Sequence, residues 1–427
     1  MIDFLIQNVR IYTGRGTAQG NIAVQDGRFL FVGGEREVPA RKVINASGLC
    51  AAPGLVDMHV HLRDFGQSAK ETIATGCRAA AAGGVTSLAA MPNTLPPVDS
   101  PEQVAEVLRR AQGALARVYP VAAVTQGMKG EVLNDFSALK AAGAAAFSED
   151  GRPVASAKLM ADAMAKAQRL EMPLLSHCED LSLTAGGIIH EGEVSRALGV
   201  KGVPAASENA ATARDIALAA SYGLSVHICH VSTAVSLRMI RAAKRDGVKV
   251  TCETAPHYFT FTDGELMRKN ADFRMSPPLR TEADRLAVIE GLRDGTIDAI
   301  ATDHAPHTPQ EKSDFCTAPN GVVGLETSLA ASITALVKPG YITLEKLIEL
   351  MSTAPASILG IPGGRLAEGK KADLVLFDPD EEWTVDRERL HGKSQNTPFH
   401  GKTLTGRVHA TLCRGRLVYQ DGVICND

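Results

Sequence analysis

Short apolar runs that alternate with longer segments of helical periodicity constrain the fold of this chain most strongly. Between residues 55 and about 337, eight runs rich in Val, Ile and Ala end in polar residues, and helical segments separate them. The runs are Gly54–Leu62, Gly84–Asn93, Arg117–Thr125, Ala144–Asp150, Met172–Asp180, Leu224–Ser232, Val248–His257 and Ile297–His307. They predict an α/β fold with a (β/α)₈ TIM-type barrel, which usually takes about 250 residues.

The two ends of the chain carry a different pattern. They contain short alternating strands separated by turn dipeptides that we interpret as hairpin signals. The dipeptides are Asp26-Gly27, Gly33-Gly34, Glu368-Gly369, Arg414-Gly415 and Asp421-Gly422. Neither end alone has many strands. We therefore predict that residues 1–53 and 365–427 pair into one small β-sandwich beside a barrel domain of residues 54–364.

Charge and composition exclude several classes of partner. The chain has 45 Lys and Arg against 48 Asp and Glu, a net charge of −3, which argues against binding to nucleic acid or an anionic membrane. It has no run of about 18 apolar residues and no secretory leader pattern. Its eight cysteines contain no Cys-x-x-Cys pair, which argues against a disulfide framework. We expect a cytoplasmic protein that acts on a small molecule.

His59 and His61 form a His-x-His pair in the first predicted barrel strand. Because side chains alternate along a strand, we expect both imidazoles on one side and Met58 and Val60 on the other. Such a pair can share a metal ion, since His is a common ligand of Zn²⁺ and related ions. Two polar residues at a barrel mouth are the alternative that the pair alone leaves open.

Four further predicted strands end in residue types that bind metal ions. These residues are Asp150, His177, His230 and Asp303. The carboxyl ends of barrel strands form the active-site face, so we expect all six side chains to lie together. Four histidines and two carboxylates exceed the needs of one tetrahedral site. The set predicts a two-metal centre with a bridging carboxylate.

Seven motifs follow one another along nearly the whole chain. They are DMHVHLRDFG, KETIATGCRAAAAGGVTSLAAMPNT, FSEDG, SHCED, ICHVS, SPPLR and TDHAPH. In this order they resemble the dihydroorotases of the amidohydrolase superfamily, and most of all the long bacterial class. The resemblance implies up to two Zn²⁺ ions per chain, with Asp150 as the bridging ligand. It further implies that His59, His61 and Asp303 bind the first ion and that His177 and His230 bind the second.

Other residues near Asp150 are competing candidates for the bridging ligand. Glu149 is adjacent but has the opposite strand parity. Lys140 and Lys158 flank the strand, and a carboxylated lysine bridges the metals in other superfamily members. Because no lysine falls at the predicted end of this strand, we favour Asp150.

Asp303 is the predicted catalytic residue. Two divalent ions would lower the pKa of a shared water and supply a bridging hydroxide that attacks a ring amide carbonyl. A carboxylate beside that water can take its proton and deliver it to the departing amide nitrogen. A carboxylate that caps a helix is the alternative for Asp303.

Arg63 and Asn93 are predicted to bind a substrate carboxylate. Arg63 lies two positions beyond His61, and its guanidinium can grip a carboxylate with two parallel hydrogen bonds. The resemblance implies this role for both residues, and implies that His307 and the backbone near Gly321 contact the ring. A surface salt bridge for Arg63 and a turn for Asn93 are the alternatives.

Two positions depart from the family pattern, and both are included in the predicted substrate site. Ser276 stands where family members often carry Asn before Pro-Pro-Leu-Arg, and Asn320-Gly321 replaces a commoner Phe-Gly or Pro-Gly. We interpret His304, His227 and His257 as residues that either support the ligands from behind or pack in the interior. Residues 308–320 are a predicted lid.

The leading hypothesis for function is reversible cyclisation of N-carbamoyl-L-aspartate to L-dihydroorotate and water in de novo pyrimidine (UMP) biosynthesis. Another cyclic amidase, such as a hydantoinase, dihydropyrimidinase or allantoinase, is the first alternative. Those relatives generally lack the pairing of Arg63 with Asn93. An inactive homologue that scaffolds aspartate transcarbamoylase is the second. We expect a homodimer, and a complex with aspartate transcarbamoylase stays open.

Overall fold

The computed structural model describes residues 1–13, 16–36, 38–184 and 186–425. The strands are β1 (Ile2–Tyr12), β2 (Thr17–Gln25), β3 (Arg28–Val32), β4 (Ala40–Asn45), β5 (Cys50–Pro53), β6 (Leu55–Val60), β7 (Val85–Ala90), β8 (Arg117–Ala123), β9 (Ala146–Ser148), β10 (Leu174–Ser176), β11 (Ile189–His190), β12 (Gly202–Val203), β13 (Ser225–Ile228), β14 (Lys249–Thr254), β15 (Ala299–Ile300), β16 (Leu374–Thr384), β17 (Thr403–Cys413), β18 (Arg416–Gln420) and β19 (Val423–Ile424).

The helices mostly follow the barrel strands. They are α1 (Ile73–Ala82), α2 (Pro101–Arg110), α3 (Phe136–Ala142), α4 (Ala157–Arg169), α5 (Leu181–Thr184), α6 (Glu193–Leu198), α7 (Ala205–Tyr222), α8 (Ala234–Arg245), α9 (Pro256–Thr260), α10 (Glu282–Arg293), α11 (Ser328–Ser332), α12 (Leu344–Ile348) and α13 (Ala354–Leu359). Single 3₁₀ and π turns lie at Gln126–Met128, Asp263–Arg268, Ala271–Phe273, Ile333–Val337, Glu349–Thr353 and Arg387–Arg389. None of the described helices is long and apolar enough to cross a membrane.

Eight parallel strands form the barrel, in the order β6, β7, β8, β9, β10, β13, β14, β15. Each lies within one of the eight predicted runs and is shorter than that run. The first and last strands meet where the His61 amide donates to the His304 carbonyl at 2.8 Å and the Thr302 amide donates to Asp57 Oδ1 at 3.1 Å. The predicted (β/α)₈ fold is confirmed.

Small and branched side chains fill the inside of the barrel. The interior cluster takes one or two residues from most strands, among them Val56, Ala146 and Leu175, and α13 adds Ala356. Ser352, just before α13, donates to the carbonyl of Gly54 at the start of β6. The amino end of the barrel is thus closed, and the carboxyl end is left for the site.

Both ends of the chain contribute to a separate nine-stranded sheet, as predicted. Its order is β19, β18, β17, β16, β5, β1, β2, β3, with β4 also paired to β1. The two ends join where β5 runs antiparallel to β16, with Pro53 opposite Leu374. Apolar residues from both ends, including Ile6 and Leu412, form a core of their own. The limits 1–53 plus 365–427 and 54–364 stay a prediction.

Three of the five predicted hairpins are present. Asp26-Gly27 joins β2 to β3, Arg414-Gly415 joins β17 to β18, and Asp421-Gly422 joins β18 to β19. The prediction is wrong for Gly33-Gly34, because β4 pairs with β1 rather than β3. It is also wrong for Glu368-Gly369, where the Gly369 amide donates to the carbonyl of Phe29. A turn dipeptide marks a chain reversal, but it does not determine which strand becomes the partner.

An ion pair connects the barrel to the sheet. Arg117, at the start of β8, lies 3.0 Å from Asp373, which immediately precedes β16. Asp373 also accepts a hydrogen bond from the Arg414 amide at 2.6 Å. Both side chains are largely buried. Asp373 therefore joins three segments that are far apart in sequence.

Candidate metal centre and substrate cavity

The six predicted ligands converge at the carboxyl end of the barrel. His59 belongs to β6, and the other five follow the last residue of a strand by one to three positions: His61, Asp150, His177, His230 and Asp303. All six side chains are buried. The strand ends position them from five directions around one point, as expected for an active-site face.

Asp150 lies between two pairs of histidines. Its Oδ1 is 3.3 Å from His59 Nε2 and 3.2 Å from His177 Nδ1, while its Oδ2 is 3.4 Å from His61 Nε2. His230 Nε2 is 3.6 Å from Oδ1. The carboxylate thus belongs to two groups of potential ligands, one with His59 and His61 and one with His177 and His230. This is the arrangement that a bridging carboxylate requires.

Asp303 lies beside the first group. Its Oδ1 lies 3.1 Å from His61 Nε2 and 3.7 Å from His59 Nε2. Asp303 and His230 have positive backbone φ angles of 47° and 36°. Such conformations cost about 1–3 kcal/mol each and are concentrated at functional sites. The surrounding fold therefore holds both residues in backbone conformations that are locally disfavoured.

Two features of this cluster fit a metal ion, namely buried donor atoms without hydrogen-bond partners and a suitable set of donor types. His59 Nε2 and Asp150 Oδ1 are both fully buried and have no hydrogen-bond partner. Burial alone would raise the pKa of Asp150, but the surrounding histidines hold it well below its usual value. Burial would lower the pKa of His59, yet the charge of Asp150 raises it well above its usual value. Four imidazoles and two carboxylates are a donor set that divalent transition-metal ions accept.

Two glutamates that the sequence analysis missed hold the imidazoles in place. Glu253 Oε1 lies 2.9 Å from His59 Nδ1, and its Oε2 lies 3.1 Å from His227 Nε2. Glu179 Oε2 lies 2.9 Å from His177 Nε2. Carboxylates of this kind fix the ring orientation of metal-binding histidines. The signal in the sequence was Glu253 itself, a charge inside a buried strand that needs a partner.

The competing candidates for the bridging ligand lie away from the site. Glu149 accepts hydrogen bonds from the amides of Val124 and Thr125 at 2.9 and 3.0 Å. Lys140 donates to the carbonyl of Leu170, and Lys158 is exposed. None of the three lines the cavity described below.

The strict alternation predicted around the His-x-His pair is wrong. A register shift interrupts β6 between Asp57 and Val60. As a result Met58 packs inside the barrel, whereas Val60 packs between the strands and the helices. Arg63 lies beyond the end of β6 with φ of 55°, so strand parity does not explain its position either. The irregular backbone, rather than the pleat, directs these side chains.

A cavity of about 390 Å³ opens beside the ligands. All six predicted substrate-binding residues line it: Arg63, Asn93, Ser276, His307, Asn320 and Gly321. Five of the six predicted metal ligands line it too, and only His59 lies behind them. Five further residues line the wall although the sequence did not single them out: Gln67, Lys70, Gly151, Glu179 and Ala305.

Arg63 is a buried cation without a hydrogen-bonded partner. It is 8% exposed, and its guanidinium makes no hydrogen bond to any residue in the part of the chain that the structure describes. Burial lowers its pKa, although the charges of Asp303 and Asp150 oppose this. A buried guanidinium in a cavity wall favours an anionic ligand, and a carboxylate matches its planar geometry.

Asn93 and His307 are already engaged by neighbours. Asn93 Oδ1 lies 2.8 Å from His61 Nδ1, and its Nδ2 lies 3.3 Å from Asp150 Oδ2. His307 Nε2 donates to the Asn320 carbonyl at 2.8 Å. Burial and the nearby cations lower the pKa of His307 to about 3, so its imidazole is neutral at physiological pH. Asn93 is therefore coupled to the ligands, and His307 to the turn that follows Pro319.

The three histidines interpreted as supporting or packing residues, His304, His227 and His257, lie outside the cavity wall. His304 Nδ1 accepts from the Gly324 amide at 3.2 Å, and His257 packs against the ring of Tyr258. Cys229 lies with Glu253 within ligand distance of His59. Burial raises the pKa of this thiol well above its usual value, so it stays protonated.

Comparisons with known proteins identify the family of the chain. Residues 48–236 match the family model described as dihydro-orotase-like. The chain is 48% identical over 405 residues to a dihydroorotase of Pelotomaculum thermopropionicum, covering 95% of each protein. It is 47% identical to a dihydroorotase of Pelobacter propionicus, covering 98% of this chain and 100% of that one.

Several solved structures of hydantoinases have a similar fold. The L-hydantoinase of Arthrobacter aurescens superimposes with a TM-score of 0.90 at 26% identity, covering 100% of this chain and 98% of that one. A D-hydantoinase of Thermus sp. gives a TM-score of 0.85 at 25% identity, covering 99% and 97%. The barrel, the sheet from both ends and the close sequence relatives together show that this chain belongs to the dihydroorotase family.

Proposed function

We propose that this protein is a metal-dependent cyclic amide hydrolase that interconverts L-dihydroorotate and N-carbamoyl-L-aspartate in de novo pyrimidine biosynthesis. The observation that carries the proposal is the buried, unpartnered guanidinium of Arg63 beside a cluster of four histidines and two carboxylates. The cluster supplies a place for hydrolysis of an amide, and the guanidinium supplies a place for a carboxylate. Both halves of this substrate are thereby accommodated in one cavity.

The metal ions in this proposal are Zn²⁺, up to two per chain. His59, His61 and Asp303 would hold the first ion, His177 and His230 the second, and Asp150 would bridge them. Bound divalent ions supply Lewis acidity, which lowers the pKa of water and polarises a carbonyl oxygen. Glu253 and Glu179 keep the imidazoles of His59 and His177 oriented toward the ions.

Asp303 moves the proton in both directions. Burial tends to raise its pKa, but the hydrogen bond from His61 and the nearby imidazoles lower it, so the carboxylate is ionised and can act as a base. In hydrolysis Asp303 accepts a proton from the attacking water, the oxygen of which bonds to the ring carbonyl carbon. The ring C–N bond then breaks, and Asp303 returns the proton to the departing nitrogen. Cyclisation follows the reverse path and releases water.

Arg63 binds the substrate carboxylate and thereby orients the ring. A bidentate pair with a carboxylate fixes both position and angle, which a single ammonium does not do. Asn93 contributes a side-chain amide next to Asp150, and Ser276, His307 and the Asn320-Gly321 turn border the remaining space. Because His307 is neutral and its Nε2 is bonded to Asn320, it adds polarity without a second positive charge.

Hydantoinase activity is the alternative that the structural neighbours favour, because the superimposed enzymes carry that name. Their substrates require no carboxylate clamp at this position. An inactive scaffold is disfavoured because five of the six predicted ligands form groups that could hold a metal ion, and the sixth, Asp303, lies 3.1 Å from His61.

One assay separates these possibilities. Loss of ultraviolet absorbance would be followed for L-dihydroorotate, hydantoin and dihydrouracil, with bound metal counted on the same sample. We expect turnover of L-dihydroorotate alone and up to two ions of zinc per chain. Turnover of only hydantoin or dihydrouracil would indicate that the protein is a hydantoinase. A protein that binds no metal and turns over none of the three compounds would indicate an inactive scaffold.

The predicted homodimer and a complex with aspartate transcarbamoylase are separate proposals. Light scattering of the isolated protein tests the first. Co-sedimentation with aspartate transcarbamoylase, with and without substrate, tests the second.

A further inference from the structure

The side chain of Lys312 turns inward from the segment of residues 308–320. Its Nζ donates to three backbone carbonyls, those of Pro319 and Gly321 at 3.0 Å each and that of Arg274 at 3.3 Å. An ammonium group has three N–H donors, and here each has one carbonyl. Within the described part of the chain, Lys312 forms no ion pair. The ammonium group of Lys312 therefore connects backbone carbonyls of separate segments and does not pair with a carboxylate.

The three carbonyls come from two walls of the substrate cavity. Arg274 lies two residues before Ser276, and Pro319 and Gly321 flank Asn320; Ser276, Asn320 and Gly321 all line the cavity. The Gly321 amide also donates to the Arg274 carbonyl at 2.9 Å, so the walls touch directly at this point. Lys312 reinforces this junction from behind, and it does not itself line the cavity.

The turn that Lys312 holds is tightly constrained. Gly321 has φ of 135°, and a Cβ added there would lie 2.7 Å from Ala305 Cβ and 3.0 Å from His307 Nε2. The Asn320 carbonyl accepts the hydrogen bond that orients His307. A shift of this turn would therefore move the backbone at Gly321 and the imidazole of His307 together.

We propose that Lys312 is a positioning residue for substrate binding, which holds the Asn320-Gly321 turn and His307 in place through the carbonyls of Arg274, Pro319 and Gly321. The proposal rests on the function proposed above and deepens it. It assigns to Lys312 the shape of the ring-binding side of the cavity, whereas Arg63 binds the carboxylate. The metal ligands lie outside the contacts of Lys312, so chemistry at the metals depends on it less than binding does.

The buried surroundings of Lys312 support its proposed role as a positioning residue. Burial, together with the positive charge of Arg274, lowers the pKa of Lys312 to about 7, against the opposing effect of the carboxylates of Asp272 and Glu311. A cation at this depth is costly, and the three carbonyls together with these two carboxylates favour its charged form. An exposed lysine at the surface would not pay the free-energy cost of burying its charge.

The test compares Lys312→Met with Lys158→Met, which removes an exposed lysine paired with Asp162. We expect Lys312→Met to raise the KM for L-dihydroorotate about 10-fold or more, since charge-assisted hydrogen bonds are lost, and to lower kcat less than about 3-fold. Metal content should equal that of the unmodified protein. Lys158→Met should change neither constant.

Hydrogen exchange provides a readout that does not need activity. Peptides covering residues 318–325 should exchange faster in Lys312→Met than in Lys158→Met, while peptides from α10 should exchange equally in both. An unchanged KM, a fall in kcat at constant KM, or equal exchange in both variants would overturn the proposal.

Two further outcomes are distinguished by design. If Lys312→Met does not fold, Lys312→Arg keeps a cationic donor: a raised KM with near-normal kcat supports the proposal, and a loss of kcat alone overturns it. If the unmodified protein does not turn over L-dihydroorotate, the proposed function fails, and only the exchange experiment then decides the role of Lys312.

Discussion

Glu253 Oε1 lies 2.9 Å from His59 Nδ1, while the other nitrogen of the same ring, Nε2, faces Asp150 at 3.3 Å. The imidazole is held from behind by one carboxylate and presents its free nitrogen to the other. Glu253 is itself shared with His227, at 3.1 Å, so a single buried carboxylate orients two rings.

Glu253→Gln should weaken metal binding. The two oxygens of Glu253 each face one imidazole, whereas a glutamine amide has only one oxygen that can accept a hydrogen bond. His59 therefore loses its fixed orientation. Replacement of such partners typically costs about 10- to 100-fold in metal affinity. Competition with a chelator measures the affinity. Glu381→Gln is the matched control, because Glu381, like Glu253, contacts two side chains, here a histidine and an arginine, but lies near the surface. Equal metal affinities in the two variants would contradict the prediction.

Arg63→Met should lower kcat/KM for L-dihydroorotate about 100-fold or more, because two charge-assisted hydrogen bonds to the substrate carboxylate are lost. Arg63→Lys should recover only part of this, since an ammonium lacks the planar fork. Steady-state kinetics measures both. Arg241→Met, which breaks a surface pair with Asp294, should have no effect. Unchanged turnover in Arg63→Met would refute the carboxylate clamp.

Asp303→Asn should lower kcat about 100- to 10,000-fold, because an amide cannot shuttle the proton between water and the leaving nitrogen. Metal must be counted on the same preparation, since Asp303 is also a predicted ligand. Full activity with metal still bound would show that another group transfers the proton. Loss of metal along with activity would show that ligation is its dominant role.

Asp373→Asn should destabilise the protein without altering the chemistry. The change removes the charged partner of Arg117, which is largely buried, and should reduce the free energy of unfolding by about 2 kcal/mol. Urea unfolding measures the loss, and kcat per folded molecule should stay constant. Asp380→Asn breaks the exposed pair with Lys338 and should cost about 0–1 kcal/mol. Similar losses in both variants would contradict the prediction.

The barrel could be predicted from the sequence because each of its strands is a buried apolar run with clear turn signals on both sides. The site could be located because ligand-type residues such as Asp150 and His177 follow those runs directly. Parallel strands bring their carboxyl ends to one rim, so position along the chain becomes position in space.

Contacts that depend on backbone irregularity could not be predicted. The register shift in β6 separates Met58 from Val60, and no residue type in DMHVH signals it. The inward turn of Lys312 was equally hidden, because a lysine in a polar loop is most often solvated. The partner of β4 depended on long-range packing rather than on Gly33-Gly34. The local sequence pattern determines where helices and strands form. Tertiary packing determines which side chains and backbone groups of irregular segments come into contact.

The joining of both chain ends in one sheet has a consequence during synthesis. Arg28 and the carbonyl of Gly369 form a hydrogen bond although they are 341 residues apart. At a translation rate of about 5–20 residues per second, the partner strand β16 emerges roughly 20–70 s after the N-terminal strands. Throughout that interval the edge of β5 is open to other nascent chains. That edge is only four residues long, and it ends in Pro53, which has no backbone N–H to donate to a neighbouring strand. Both features disfavour pairing between β5 and another nascent chain on the same mRNA.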